Sequence, residues 1–152
     1  MDPRLEPTLQ IDPRDVEEYG TPPPNEHALA YAEEALRILD ELNCSPVSIV
    51  PETDGGIEFA WVRDGRRGYL SFWNEPDLDD CESDCSVLLA ADAGGPMPDW
   101  YVQRARLRES LEQVSDFILR GTAPLHQGGP LVFENPAVVE SLLEALEGRQ
   151  DV

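Results

Sequence analysis

The chain has 152 residues, 31 of them acidic against 11 basic, and a formal net charge of -20. That length suits one domain, and so negative a chain is repelled by nucleic-acid phosphates and by anionic membrane surfaces, so no direct nucleic-acid partner and no membrane partner is expected. No run approaches the roughly 18 apolar residues of a membrane span, and Met1-Asp2-Pro3-Arg4-Leu5 lacks the basic start and apolar middle of a secretion signal, so a cytoplasmic protein is expected.

Residues 1–24 are rich in proline, including Pro22-Pro23-Pro24, and show no sustained apolar period, which predicts a flexible arm. Asn25 is an N-cap residue for a helix over 26–42, with Ala28, Leu29, Ala32, Ala35, Leu36 and Leu39 on one face and Glu33, Glu34, Arg37, Asp40 and Glu41 on the other. After Pro46 the period becomes extended. A strand is expected at 47–50, a turn at 51–56, and a second strand where Ile57, Phe59 and Trp61 alternate with Glu58 and Ala60. Asp64-Gly65 marks a hairpin into a third strand over 68–73, with Leu70 and Phe72 on one face and Tyr69, Ser71 and Trp73 on the other. A further strand is expected at 86–91.

Asp99 then reads as the cap of a long helix over 100–119, striped by Leu107, Leu111, Val114 and Ile118 and stopped by Gly121. After a glycine-rich loop and a short strand at 131–133, Asn135-Pro136 opens a last helix over 137–146 that buries Val138, Val139, Leu142, Leu143 and Leu146. The expected fold is α+β: an antiparallel meander of three to four strands packed against an N-terminal helix, with two further C-terminal helices. Residues 25–148 form the domain and 149–152 a tail.

The stretch Pro51-Glu52-Thr53-Asp54-Gly55-Gly56-Ile57-Glu58-Phe59-Ala60-Trp61, following a leucine-rich helix and preceding a basic hairpin, resembles a type of short bacterial protein defined by a Pro-x-x-Asp-Gly-Gly-Ile-x-Phe-x-Trp hairpin motif. The resemblance covers about a third of the chain through Trp73. It implies a helix-plus-hairpin arrangement and carries no catalytic residue with it.

Reactive chemistry finds little support. Cys44, Cys81 and Cys85 form an odd set and read as reduced thiols. Cys81 and Cys85 are the weak metal candidates, since two thiolates four residues apart still leave a zinc ion short of two ligands, and His27 and His126 are scattered. Glu75, Asp77, Asp79, Asp80, Glu82 and Asp84 crowd ten residues, but counting from Asp77 the EF-hand glycine and terminal carboxylate positions fall on Glu82 and Leu88. No dinucleotide or phosphate-loop glycine pattern occurs, and no cofactor is expected.

Charge is unevenly spread. The acids concentrate in 75–84, whereas the hairpin, with Arg63, Arg66 and Arg67, and the segment with Arg104, Arg106 and Arg108 are near neutral. Those arginines read either as partners of neighbouring acids or as a second contact surface. The expected function is a non-enzymatic acidic protein-binding module of the antitoxin, immunity or adaptor type, contacting a basic protein encoded nearby. Glu75, Asp77, Asp79, Asp80, Glu82, Asp84, Arg66, Arg67 and Trp73 are the candidate contact residues. The alternatives are a DNA-mimic inhibitor of a nucleic-acid-binding protein, a small metal- or thiol-dependent enzyme using Cys81, Cys85 and a histidine, and a self-assembling homo-oligomer.

Overall fold

In a computed structural model of the chain, the described residues are 1–53, 55–74 and 85–124. The elements run in chain order as a 3-10 helix at Pro3–Leu9, α1 at Pro13–Tyr19, α2 at Glu26–Glu41, β1 at Ser48–Pro51, β2 at Ile57–Arg63, β3 at Arg66–Phe72, β4 at Cys85–Ala91, β5 at Asp99–Tyr101 and α3 at Leu107–Arg120. The last of the expected helices, over 137–146, and the expected strand at 131–133 lie outside the described residues.

Local sequence chemistry sets these boundaries. The Asn25 side chain accepts a hydrogen bond from the Ala28 amide at 2.9 Å, satisfying one of the orphan donors of the first turn of α2. At the far end Asn43 takes a left-handed conformation, φ 54°, and stops the helix. The β2–β3 hairpin turns through Asp64 at φ 50° and Gly65 at φ 76°, the pair of positive φ values that a two-residue type I′ turn requires. Gly56, at φ 106°, is needed for a second reason: a Cβ there would stand 1.9 Å from the Phe72 carbonyl oxygen, so only glycine lets β2 begin beside the end of β3.

The five strands pair in sequence order, β1-β2-β3-β4-β5, and every pairing is antiparallel. One face supplies Ile57, Phe59, Trp61, Leu70, Phe72, Val87, Leu89 and Trp100, all buried. Against it lie Ala28, Tyr31, Ala32, Leu36 and Leu39 of α2 and Leu107, Leu111, Val114 and Ile118 of α3, all buried as well. Aromatic rings lock the layers, with Phe72 at 5.0 Å from Phe59 and 5.1 Å from Tyr31 between centroids. Each fully buried large side chain contributes about 1.5–3 kcal/mol from removal of apolar surface from water. The two indoles in this layer are also hydrogen-bonded, Trp61 donating to the Cys44 carbonyl at 3.0 Å and Trp100 to Ser110 Oγ at 3.2 Å.

Two expectations are corrected. The sheet gains a fifth strand from residues expected to open the long helix, and α3 starts only at Leu107. The reason is visible in the side chains: Trp100 and Val102 are buried while Tyr101 between them is not, a period of two that belongs to an extended chain. The helical stripe begins with Leu107.

The second correction concerns residues 1–24, which are folded onto the domain. Pro3 and Pro13 sit in the first turns of the two short helices, where proline fits, and Asp2 and Asp12 cap them by accepting the amides of Arg4 and Arg14. Leu5 is fully buried. The Arg4 guanidinium bridges Asp2 and Asp40, at 2.8 Å to a carboxylate oxygen of each, and so ties this segment to α2. The arm is anchored by scattered contacts, buried Leu5, Thr8 and Pro24 and the Arg4 bridge among them, which form no period.

Candidate functional site

Strand pairing places alternate side chains on the two faces, so the outward positions follow from the register. They form three rows: Val50, Glu58, Ser71, Ser86 and Tyr101; then Ser48, Ala60, Tyr69, Leu88 and Asp99; then Val62, Arg67 and Ala90. An outward face that meets only water normally alternates polar against the apolar core positions. This one is mostly small, apolar or aromatic. Val50, Val62 and Leu88 are exposed at 43%, 57% and 37%, and α2 and α3 both pack on the opposite side.

In a chain with 31 acids the face carries two, Glu58 and Asp99, and one base, Arg67. Arg67 is held by Asp92 at 3.1 Å. The face is thus nearly uncharged, and no helix covers it among the described residues.

At one end of this face the half-buried rings of Trp73 and Tyr101 meet at 5.6 Å between centroids and 57° between planes. The same end is pinned by two asparagines. Asn74 Oδ1 accepts from the Asn25 amide at 2.8 Å, while Asn25 Nδ2 donates to the Asn74 carbonyl at 2.6 Å. Asn74 Nδ2 also donates to the Pro23 carbonyl at 3.0 Å. The acidic stretch follows Asn74 in sequence; Glu75, Asp77, Asp79, Asp80, Glu82 and Asp84 lie outside the described residues.

The other candidates are placed as follows. Arg66 turns toward the helix layer and donates to the Ile118 carbonyl from Nε at 3.2 Å and Nη2 at 2.8 Å, which fastens the end of α3 to the hairpin. Arg104 and Arg108 reach across from the α3 side to Glu34 and Glu41 of α2 at 3.2 and 2.6 Å. Arg104 also lies 5.1 Å from the Tyr31 ring centroid. These arginines therefore pair with neighbouring acids, the first of the two readings given them by sequence. Between the helices they border an open groove of about 270 Å³, floored by Ile38 and Leu107.

Cys85 is buried on the inward face opposite Phe72, and Cys81 lies outside the described residues. Cys44 is buried too, and burial pushes its thiol pKa up. Among the described residues no group of three His, Cys, Asp or Glu side chains is arranged to hold a metal ion, and no helix is long and apolar enough to cross a membrane. His27 stands edge-on to the Tyr31 ring at 6.5 Å, and His126 lies outside the described residues.

Sequence reasoning placed Tyr69 and Trp73 on one strand face but missed Ala60, Val62, Leu88 and Ala90 as parts of the same surface. The signal was present in the strand pattern: apart from Glu58 and Arg67, the positions alternating with the core in β2, β3 and β4 are uncharged where a solvated face would carry lysine, glutamate or threonine. No protein-family model, no curated protein and no solved structure matches the chain.

Proposed function

We propose that this chain is a non-enzymatic protein-binding module whose contact surface is the outward face of the sheet, with the acidic stretch 75–84 adding to its attraction for a basic partner. One observation carries the reading: a nearly uncharged, partly apolar sheet face stays uncovered by α2 and α3 in a chain of net charge -20. Contiguous apolar surface of that kind marks interaction sites in soluble proteins. The composition also fits an interface, which favours an uncharged centre with aromatic anchors and a charged rim.

Charge chooses the partner. A second copy would bring another -20 toward the first and meet long-range repulsion, whereas a protein with an apolar patch ringed by Arg and Lys is attracted by the net negative charge and settles on the uncharged face. The carboxylates of Glu34, Asp40 and Glu41 on α2 are engaged by Arg104, Arg4 and Arg108. Those pairings weigh against a DNA mimic, which needs carboxylates held free in regular array.

Quantitative affinity capture from the native cell tests the proposal by comparison among variants. Tyr69→Glu/Leu88→Glu, on the face, should lose at least tenfold of the captured partner, while Arg37→Glu, exposed on α2, should lose none. Equal capture by all three forms would overturn it.

A further inference from the structure

The groove between α2 and α3 is framed by charges that do not cancel. Three guanidiniums, of Arg37, Arg104 and Arg108, line it against two carboxylates, of Glu34 and Glu41, which leaves one positive charge in a chain of net charge -20. Both carboxylates are taken, since Arg104 meets Glu34 and Arg108 meets Glu41. Arg37 is exposed on the same side of α2, between Glu34 and Glu41 at the helical spacing that makes side chains neighbours. Its guanidinium has no carboxylate within ion-pair distance among the described residues.

The two ion pairs hold their arginines in place without exhausting them. Arg104 spends Nε and Nη2 on Glu34, and Arg108 spends Nη2 on Glu41, whereas a guanidinium carries five N–H donors in a rigid fork. Beneath them the floor is apolar, Ile38 and Leu107, and the groove measures about 270 Å³. That is about nine times the share of liquid volume that one water molecule occupies, so a ligand of about eight to ten non-hydrogen atoms fills it.

Charge and size together select a ligand class. A monoanion neutralises the single excess charge of the lining, whereas nucleotides and acid-rich peptides bring further negative charge and are repelled by the rest of the chain. A planar carboxylate accepts two parallel N–H donors from one guanidinium. A compact apolar body covers the floor and the aliphatic stems of the surrounding arginines.

We propose that this groove binds a small monocarboxylate with a compact apolar body, its carboxylate on Arg37 and its body over Ile38 and Leu107. The groove belongs to the helix layer, on the opposite side of the sheet from the outward face, so the site goes beyond the partner-binding reading and stands or falls separately from it.

The test is a methyl NMR titration of the full-length chain with sodium hexanoate at constant ionic strength. The methyl resonances of Ile38 and Leu107 should shift saturably, with half-saturation at about 1 mM or tighter. Acetate, which lacks the apolar body, and hexylammonium, which carries the opposite charge on the same body, should each bind at least tenfold more weakly. Arg37→Gln should weaken hexanoate binding at least tenfold, while Arg14→Gln, at an exposed arginine of α1, should leave it unchanged. Unmoved Val62 and Leu88 methyl resonances in both variants verify that the fold is retained. Absence of a saturable shift at Ile38 and Leu107, equal affinity in Arg37→Gln, or acetate or hexylammonium binding as well as hexanoate would overturn the proposal.

Discussion

Trp73 and Tyr101, one just past β3 and the other ending β5, bring their rings to 5.6 Å across the end of β4. Of the three tryptophans, Trp61 and Trp100 are each 2% exposed, so Trp73 is the one whose indole is open to a partner at the sheet margin. Interfaces place their strongest contacts on such half-exposed aromatics.

Tryptophan fluorescence should therefore report binding through this residue. Adding the captured partner should shift the emission and reduce acrylamide quenching, and Trp73→Phe should abolish both changes. Trp73→Ala should weaken binding at least tenfold, which corresponds to about 1.4 kcal/mol. An unchanged signal in Trp73→Phe would place the partner elsewhere.

The N-terminal segment offers a separate check. Leu5 is fully buried, whereas Val16 of α1 is 49% exposed. Leu5→Ala should lower unfolding stability by about 2–5 kcal/mol through lost burial and the cavity left behind. Val16→Ala should stay within about 0.5 kcal/mol. Denaturant unfolding followed by circular dichroism measures both, and equal small effects would mean that the first residues are not docked.

Acid should act through the same segment. The Arg4 guanidinium, hydrogen-bonded to Asp2 and to Asp40, holds both carboxyls below their ordinary range. Their contribution to stability is complete above the unfolded value of about 4 and is lost as the pH falls through the lower folded values. Arg4→Ala should thus lose stability at pH 7, by less than about 1 kcal/mol for so exposed a pair, and converge on the parent near pH 2. A constant difference from pH 7 to pH 2 would count against the ion bridge.

Much of the fold was legible because its signals are local. Asn25, Asp64-Gly65 and Gly121 act as cap, turn and stop through their own backbone chemistry, and the 3.6 and 2.0 periods of α2 and the central strands show directly in the sequence. What escaped was decided at a distance. Trp100 sits beside an Asp that looks like a cap, but its indole reaches Ser110 and its strand pairs Val87, neither of which is a neighbour in sequence. The first helix buries Leu5 and Thr8, with no apolar repeat to reveal it. The open face was hidden for a different reason: its residues read as the unremarkable half of each strand until the register lines them up.

The most direct test of the sheet face as the binding surface is a methyl NMR titration of the full-length chain with its captured partner. The account predicts that the methyl resonances of Ala60, Val62, Leu88 and Ala90 shift or broaden, while those of Ile38 and Leu107 in the groove between α2 and α3 stay in place. Perturbation confined to Ile38 and Leu107, with the four sheet residues unmoved, would contradict it.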